Sequence, residues 1–476
     1  MKKIYKYILF SLVVVLSAFL LSGCTVSDEK ISKYNQIISD ADLLLEAKEY
    51  TLAVEKLSEA SELIPSKIDA VERLVDIFVI KNRLEDATRL VDDSGVKLKD
   101  SERSFLYSKV GDASYRVKDF ERASYNYQLA KELGDTDSKG SLGVAKVSIQ
   151  KGNIQQAKNL LTGKLSKESE IESTLLLSYI YSLSDTEKSI KVLKEVESGD
   201  EWRDSYSRWR DVLNSLSDDT LFNSAKLARA YIQEGYPALA VALLEPQKEE
   251  MEEYIDGLYL LGKAYYEQRE YERSISLLKG ITAVTDLNQY IYWVLARNYY
   301  LQDNLEESFS YYDSAISYSG QEGEEQLYKE YIDILIEHNR LEKVLEVVKR
   351  AEKFFDEMWV YIDFMEVYFL RRDYEKFVFY MERIEYESLA DTLKAEYLFL
   401  RGEYLIQISD IVSTKGVLDL FWELDEYDPR YNLLYAELSF QEGNLEDTRI
   451  YCKKAIEYDL LRIVTEQAEK LLAQVD

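Results

Sequence analysis

Proline and glycine are scarce in this chain of 476 residues, at 4 and 18, too few to punctuate the many tight turns of an all-β protein. Histidine occurs once, at His338, and cysteine twice, at Cys24 and Cys452. A single histidine removes His-based triads and Cys–His pairs, and with two cysteines there is no Cys/His zinc set. Neither a GxxxxGK[ST] loop nor a strand-borne GxGxxG is present. Asp135, Thr136, Asp137, Ser138, Lys139 and Gly140 begin like a calcium loop. Lys139 stands where a ligand is needed, however, and Lys146 occupies the place of the closing glutamate, so the segment reads as an interhelix turn. No catalytic residue, cofactor or metal is expected, and the chain reads as a non-enzyme. Positive charge is also in deficit: 59 bases against 88 acids leave a net charge of -29, a surface that repels nucleic acid and anionic headgroups. What the chain has in excess is tyrosine, 39 residues, of which 26 follow residue 250.

Lys2, Lys3 and Lys6 precede an apolar run from Ile8 to Leu21 that is broken only by Ser11 and Ser17. This is the charged and then hydrophobic order of a secretory signal, and the run is short for a membrane span. The residues that follow, Leu21, Ser22, Gly23 and Cys24, resemble the lipobox of bacterial lipoproteins. The resemblance implies cleavage before Cys24, a diacylglycerol on its sulfur, and a body held outside the cytoplasm. Several acyl chains anchor firmly, at about 0.8 kcal/mol per buried CH₂, so no basic patch is required. Thr25 is not the aspartate that retains many such proteins at the inner membrane, which favours an outer membrane where one exists. Residues 1–23 are thus a signal peptide and 24–33 a lipidated tether. Nine residues of tether reach at most about 30 Å, so the body stays near the membrane. Cys452 then lacks a disulfide partner in the chain and reads as a small core residue, while His338, between Glu337 and Asn339, reads as a solvated turn.

The remaining chain repeats with a period near 34. Leu258, Leu261, Gly262, Tyr265, Tyr271, Ser274 and Leu278 place apolar or small residues at offsets 4, 7, 8, 11, 17, 20 and 24, which describes two amphipathic helices with a polar break near offset 15. This pattern resembles the tetratricopeptide repeat, in which small residues at 8 and 20 mark the close crossing of two helices. The offset-20 residue can be followed through Ala53, Ala87, Ala123, Ala157, Ser189, Ala240, Ser274, Ser308, Val344, Phe377, Thr414 and Thr448, with spacings of 32 to 37 and a single one of 51. The first unit is close to the family pattern, with Ala41, Leu44, Ala53, Leu57, Ala60 and Pro65. Units nine and ten depart from it, carrying Ile332 with Val344 and Met365 with Phe377, which implies wider helix crossings there. The expected fold is therefore an all-α superhelical solenoid of twelve helix-turn-helix units with a C-terminal cap. Its divisions are 34–197 for five units, 198–220 for an inserted connector, 221–460 for seven units, and 461–476 for the capping helix. Trp202, Tyr206 and Trp209 in the connector are spaced as on one helix face, and a hinge or a packed link fits them.

In repeats of this kind the first helix of each unit lines the concave face. Its offset-9 positions read Asp42, Asp76, Asp112, Lys146, Ser178, Arg229, Lys263, Arg297, Asp333, Glu366, Glu403 and Glu437. Arg229, Lys263 and Arg297 form a cationic run between acids, with Tyr259, Tyr266, Tyr290, Trp293 and Tyr300 around it. Such aromatic and basic grooves suit partner binding, because rigid side chains bury much area at low entropy cost. The expected function is that of a membrane-anchored, non-catalytic scaffold or adaptor for envelope proteins, in an assembly or export system. The alternatives are a binder of glycan or another non-protein ligand, and an accessory subunit of a cell-wall or polysaccharide enzyme.

Overall fold

The computed structural model describes residues 27–475, apart from 95–96, 135–137, 164, 195–202, 282–286, 320–323 and 356. The signal, the lipobox with Cys24, Trp202 and the three leading residues of the calcium-like loop lie outside the described residues. Every element among the described residues is a helix, and the helices form pairs from Asp28–Glu46 with Tyr50–Leu63 to Pro429–Gln441 with Leu445–Tyr458. The packing is that of a tetratricopeptide superhelix. All twelve offset-20 residues, from Ala53 to Thr448, are completely buried. Where serine replaces alanine there, its hydroxyl donates across the crossing: Ser274 to the carbonyl of Gly262 at 2.8 Å and Ser308 to that of Ala296 at 3.0 Å. Both acceptors are at offset 8, so the polar atom is satisfied by the same close approach that demanded a small residue. A Cβ on Gly262 would come within 2.5 Å of Leu278. In unit ten the large Phe377 fits because its ring lies 4.8 Å from Tyr404 of the next unit.

The polar break has a backbone cause. The residue five before the offset-20 position adopts positive φ in eleven of the twelve units, at Lys48, Asn82, Lys118, Gly152, Gly235, Arg269, Asp303, Asn339, Arg372, Ser409 and Gly443 but not at Ser184 of unit five, reversing the chain between the two helices. His338 immediately precedes one of these turns, but it is not solvated as the sequence suggested. Its ring is partly buried, 6.1 Å from Tyr300 and 6.3 Å from Phe309, because the turn folds back over the aromatic face of unit eight. Cys452 is completely buried.

The connector contains a helix, Arg203–Asn214. Trp209 on it is almost fully buried; its indole nitrogen donates to Ser178 Oγ at 2.8 Å, and its ring meets Tyr179 edge-on at 4.6 Å and Tyr231 at 5.4 Å. One side chain therefore joins unit five to unit six through a common aromatic core. At the C-terminus, Asp459 accepts from the amides of Ile463, Val464 and Thr465 at 2.7–2.8 Å and so caps the final helix, Thr465–Leu472.

The superhelix also meets itself. Lys118 of unit three pairs with Glu267 of unit seven at 3.0 Å, and Gln150 of unit four donates to the Gly235 carbonyl of unit six at 2.7 Å. At the ends, the amide and hydroxyl of Thr51 donate to the Glu457 carboxylate at 3.0 and 2.6 Å, Lys81 donates to the Glu457 carbonyl, and Lys48 lies 4.7 Å above the Tyr427 ring. Units one and two are thereby clasped to units eleven and twelve. No described helix is long and apolar enough to cross a membrane.

Candidate functional site

Along the concave face, neighbouring units are joined by a repeated charge pairing. At three junctions the offset-9 residue of one unit faces the offset-6 residue of the next with opposite sign: Asp42 with Arg73 at 2.6 Å, Asp76 with Lys109 at 2.6 Å, and Arg297 with Glu330, Nε to Oε1, at 2.7 Å. The cause is the stacking of successive first helices, which brings residues about one repeat apart into contact. Arg229 makes a related link, to Asp256 of unit seven at 2.6 Å.

These pairings account for most of the cationic run and its aromatic surround. Arg297 is held by Glu330, which also accepts from Trp293 Nε1 at 3.2 Å and from the Tyr312 hydroxyl at 2.5 Å. The Arg297 guanidinium lies 4.2 Å above the Trp293 ring. Burial alone would raise the Glu330 carboxyl, but the hydrogen bonds and charge of Arg297, helped by Tyr312 and Trp293, hold it below its ordinary value. Tyr290 donates to Glu324 at 2.6 Å and Tyr300 to Glu337 at 2.8 Å. Tyr259 is 7% exposed, packed into the core instead of lining an open groove, and burial pushes its hydroxyl up to about 12. Arg229, Tyr290, Trp293, Arg297 and Tyr300 are thus staples between units.

Lys263 differs from its neighbours. It is half-buried on the first helix of unit seven, Ile255–Glu267, and makes no ion pair or hydrogen bond among the described residues. Burial lowers its pKa; Glu267 opposes this, while the positive charges of Arg297 and Arg229 add to it. Tyr266, one turn on, is partly buried and pushed up to about 12 by burial. The arrangement is an unneutralised ammonium between two fixed guanidiniums, with an aromatic wall. Such a point attracts a carboxylate or another anion.

The sequence reading overlooked the other half of the concave face. In units nine to twelve, Asp333, Asp363, Glu366 and Glu396 lie within electrostatic reach of one another, followed by the adjacent pair Glu403 and Glu437. Burial, then the neighbouring carboxylates Glu396 and Asp333, raise Glu366 to about 7. Burial pushes Asp363 well above its ordinary range, with Glu396, Glu366 and Asp333 adding to the effect. Burial also raises Glu437, and the neighbouring Glu403 adds to the effect. The signal was present in the sequence as four successive acids at offset 9. Only the offset-6 and offset-2 residues, Asp363 and Glu396, complete it.

No protein-family model and no curated relative matches the chain. Among solved structures it is similar to the APC/C hetero-tetramer Cut9–Hcn1, at 10% identity and a TM-score of 0.35, covering 91% of this chain and 95% of that one. It is also similar to yeast Tom70, at 14% identity and a TM-score of 0.36, covering 94% and 96%. A third is YrrB, a TPR protein with an unusual peptide-binding site, at 15% identity and a TM-score of 0.22, covering 47% and 89%.

Proposed function

We propose that the chain is a lipid-anchored, non-catalytic scaffold of a bacterial cell envelope that captures polypeptide partners on its concave face, with Lys263 as the contact for an acidic group. The observation that carries this reading is the unpaired Lys263 between two arginines that are themselves neutralised. A half-buried ammonium without an ion pair among the described residues costs stability, and its presence in a chain with 88 acids is explained when a partner supplies the anion. The glycan alternative has less support, since Tyr290, Trp293 and Tyr300 spend their polar atoms on the next unit. The test is capture from detergent-solubilised envelopes by the immobilised chain. Lys263→Glu should lose the stoichiometric partner at unchanged helicity, and retention of that partner overturns the reading.

The anchor rests on the residues at Leu21–Cys24 and is tested separately. Cys24→Ala should move the protein from the membrane pellet to the soluble fraction on fractionation. A variant that still pellets with membranes rules out acylation at Cys24 as the anchor.

A further inference from the structure

One junction of the concave face sets two acids at the positions that hold an acid and a base at three others. Where Asp42 meets Arg73, Asp76 meets Lys109 and Arg297 meets Glu330, the same two positions in units nine and ten hold Asp333 and Asp363. Two acids stand where every comparable pair named above has an acid and a base. Glu366 and Glu396 extend the cluster, and none of the four makes an ion pair among the described residues. The nearest cations are already engaged: Lys329 with Glu325 and, at 4.7 Å, the Trp359 ring; Arg430 with Asp428 at 2.7 Å. One oxygen of Asp363, Oδ2, is fully covered and lacks a hydrogen-bond donor. A covered carboxylate oxygen without a donor is costly, and here the donor missing from it is the one that an arginine or lysine provides elsewhere in the same chain.

We propose that Asp333, Asp363, Glu366 and Glu396 form a second binding site on the concave face, which takes the side-chain cations of an arginine-bearing polypeptide segment. A guanidinium matches the vacancy better than a metal ion. Among the described residues no three Asp, Glu, His or Cys converge as a metal would require, whereas a planar fork of donors can bridge two separated carboxylates. Successive first helices pack about 8–10 Å apart, and a polyproline II chain rises about 3.1 Å per residue with three residues per turn. An arginine at every third position therefore lies on one face and meets one unit after another. The site rests on the reading of the concave face as a polypeptide groove but uses none of the residues around Lys263.

The probe is a fluorescein-labelled peptide of four Gly-Ser-Arg repeats, titrated with the full chain at pH 7.5 and followed by anisotropy. The reference probe has citrulline in place of arginine. The arginine peptide should bind and the citrulline peptide should not. Asp363→Asn combined with Glu366→Gln should weaken binding about ten-fold or more, while the control Glu249→Gln with Glu250→Gln, which removes two exposed acids elsewhere, should leave it unchanged. Binding should also weaken at pH 5, as Glu366, raised to about 7, takes up its proton beside Asp333, Asp363, Glu396, Lys329 and Arg430. Equal losses in the two double variants would mean bulk charge and overturn the site, as would binding of the citrulline peptide or displacement by equimolar calcium. Failure here with Lys263-dependent capture intact removes this inference alone; loss of both removes the polypeptide groove itself.

Discussion

Trp209→Ala is expected to destabilise the chain by about 3–5 kcal/mol and to split its unfolding into two steps. The indole is 1% exposed and supplies the shared core of units five and six, touching Tyr179 on one side and Tyr231 on the other. Units in a solenoid are stabilised chiefly by their neighbours, so the weakest interface decides where cooperativity breaks. The spacing of 51 between Ser189 and Ala240 puts a non-repeat element at this interface, with one tryptophan spanning it. Removing the ring leaves a cavity that the short helix Arg203–Asn214 cannot fill and strips Ser178 Oγ of its 2.8 Å donor. Denaturant unfolding followed by circular dichroism should change from one transition to two. Trp209→Phe, which keeps most of the packing and loses the donor, should cost less and retain one transition. A single transition in Trp209→Ala at nearly wild-type stability would mean that the two blocks are held together elsewhere, with the clasps at Lys118–Glu267 and Thr51–Glu457 as the candidates.

The architecture was legible in the sequence because its determinants are local and periodic. A small residue at offset 20 reports a helix crossing wherever it falls, and following twelve of them found twelve buried positions, Val344 and Phe377 included. The reversal near offset 15 was legible for the same reason. The tyrosine excess follows from architecture too: Tyr127 and Tyr312 are completely buried, with hydroxyls that reach Asp112 at 2.7 Å and Glu330 at 2.5 Å. Apolar bodies with polar tips suit a thin core flanked by acids. What the sequence could not show is pairing between units. Arg229 and Arg297 look alike with Lys263 in an offset-9 column, and only the facing residue of the next unit separates two neutralised side chains from one that is not. The closure of the superhelix, with Glu457 against Thr51 and Lys81, depends on the accumulated rotation of many units, which no short pattern encodes.

The acid at the centre of the Arg297 staple should dominate stability in the C-terminal block. Glu330→Ala is expected to cost about 3 kcal/mol, the lower end of the range for breaking a buried pair, because the Arg297 side chain is still 28% exposed and water can take up part of its charge. Glu330→Gln keeps the volume and isolates the charge, and it also carries a pH signature. A carboxyl held below its ordinary value contributes stability that is present above about pH 4.5 and disappears as pH falls through the lower folded value. That acid limb should flatten in Glu330→Gln. Glu366 acts with the opposite sign. Raised to about 7 in the folded chain, it binds its proton more tightly folded than unfolded, so stability falls as pH rises from about 4.5 to about 7, and Asp363 pushes the same way. The two effects together place the melting-temperature maximum of the wild-type chain near pH 5, below neutrality, with a decline on either side. Asp363→Asn with Glu366→Gln should remove the decline on the neutral side and raise the melting temperature at pH 7.5, while Glu330→Gln removes only the decline on the acid side. A melting temperature that climbs steadily from pH 5 to pH 7.5 would mean that the acids of units nine and ten already have counter-charges in the folded chain, and the vacancy at Asp333 and Asp363 would close.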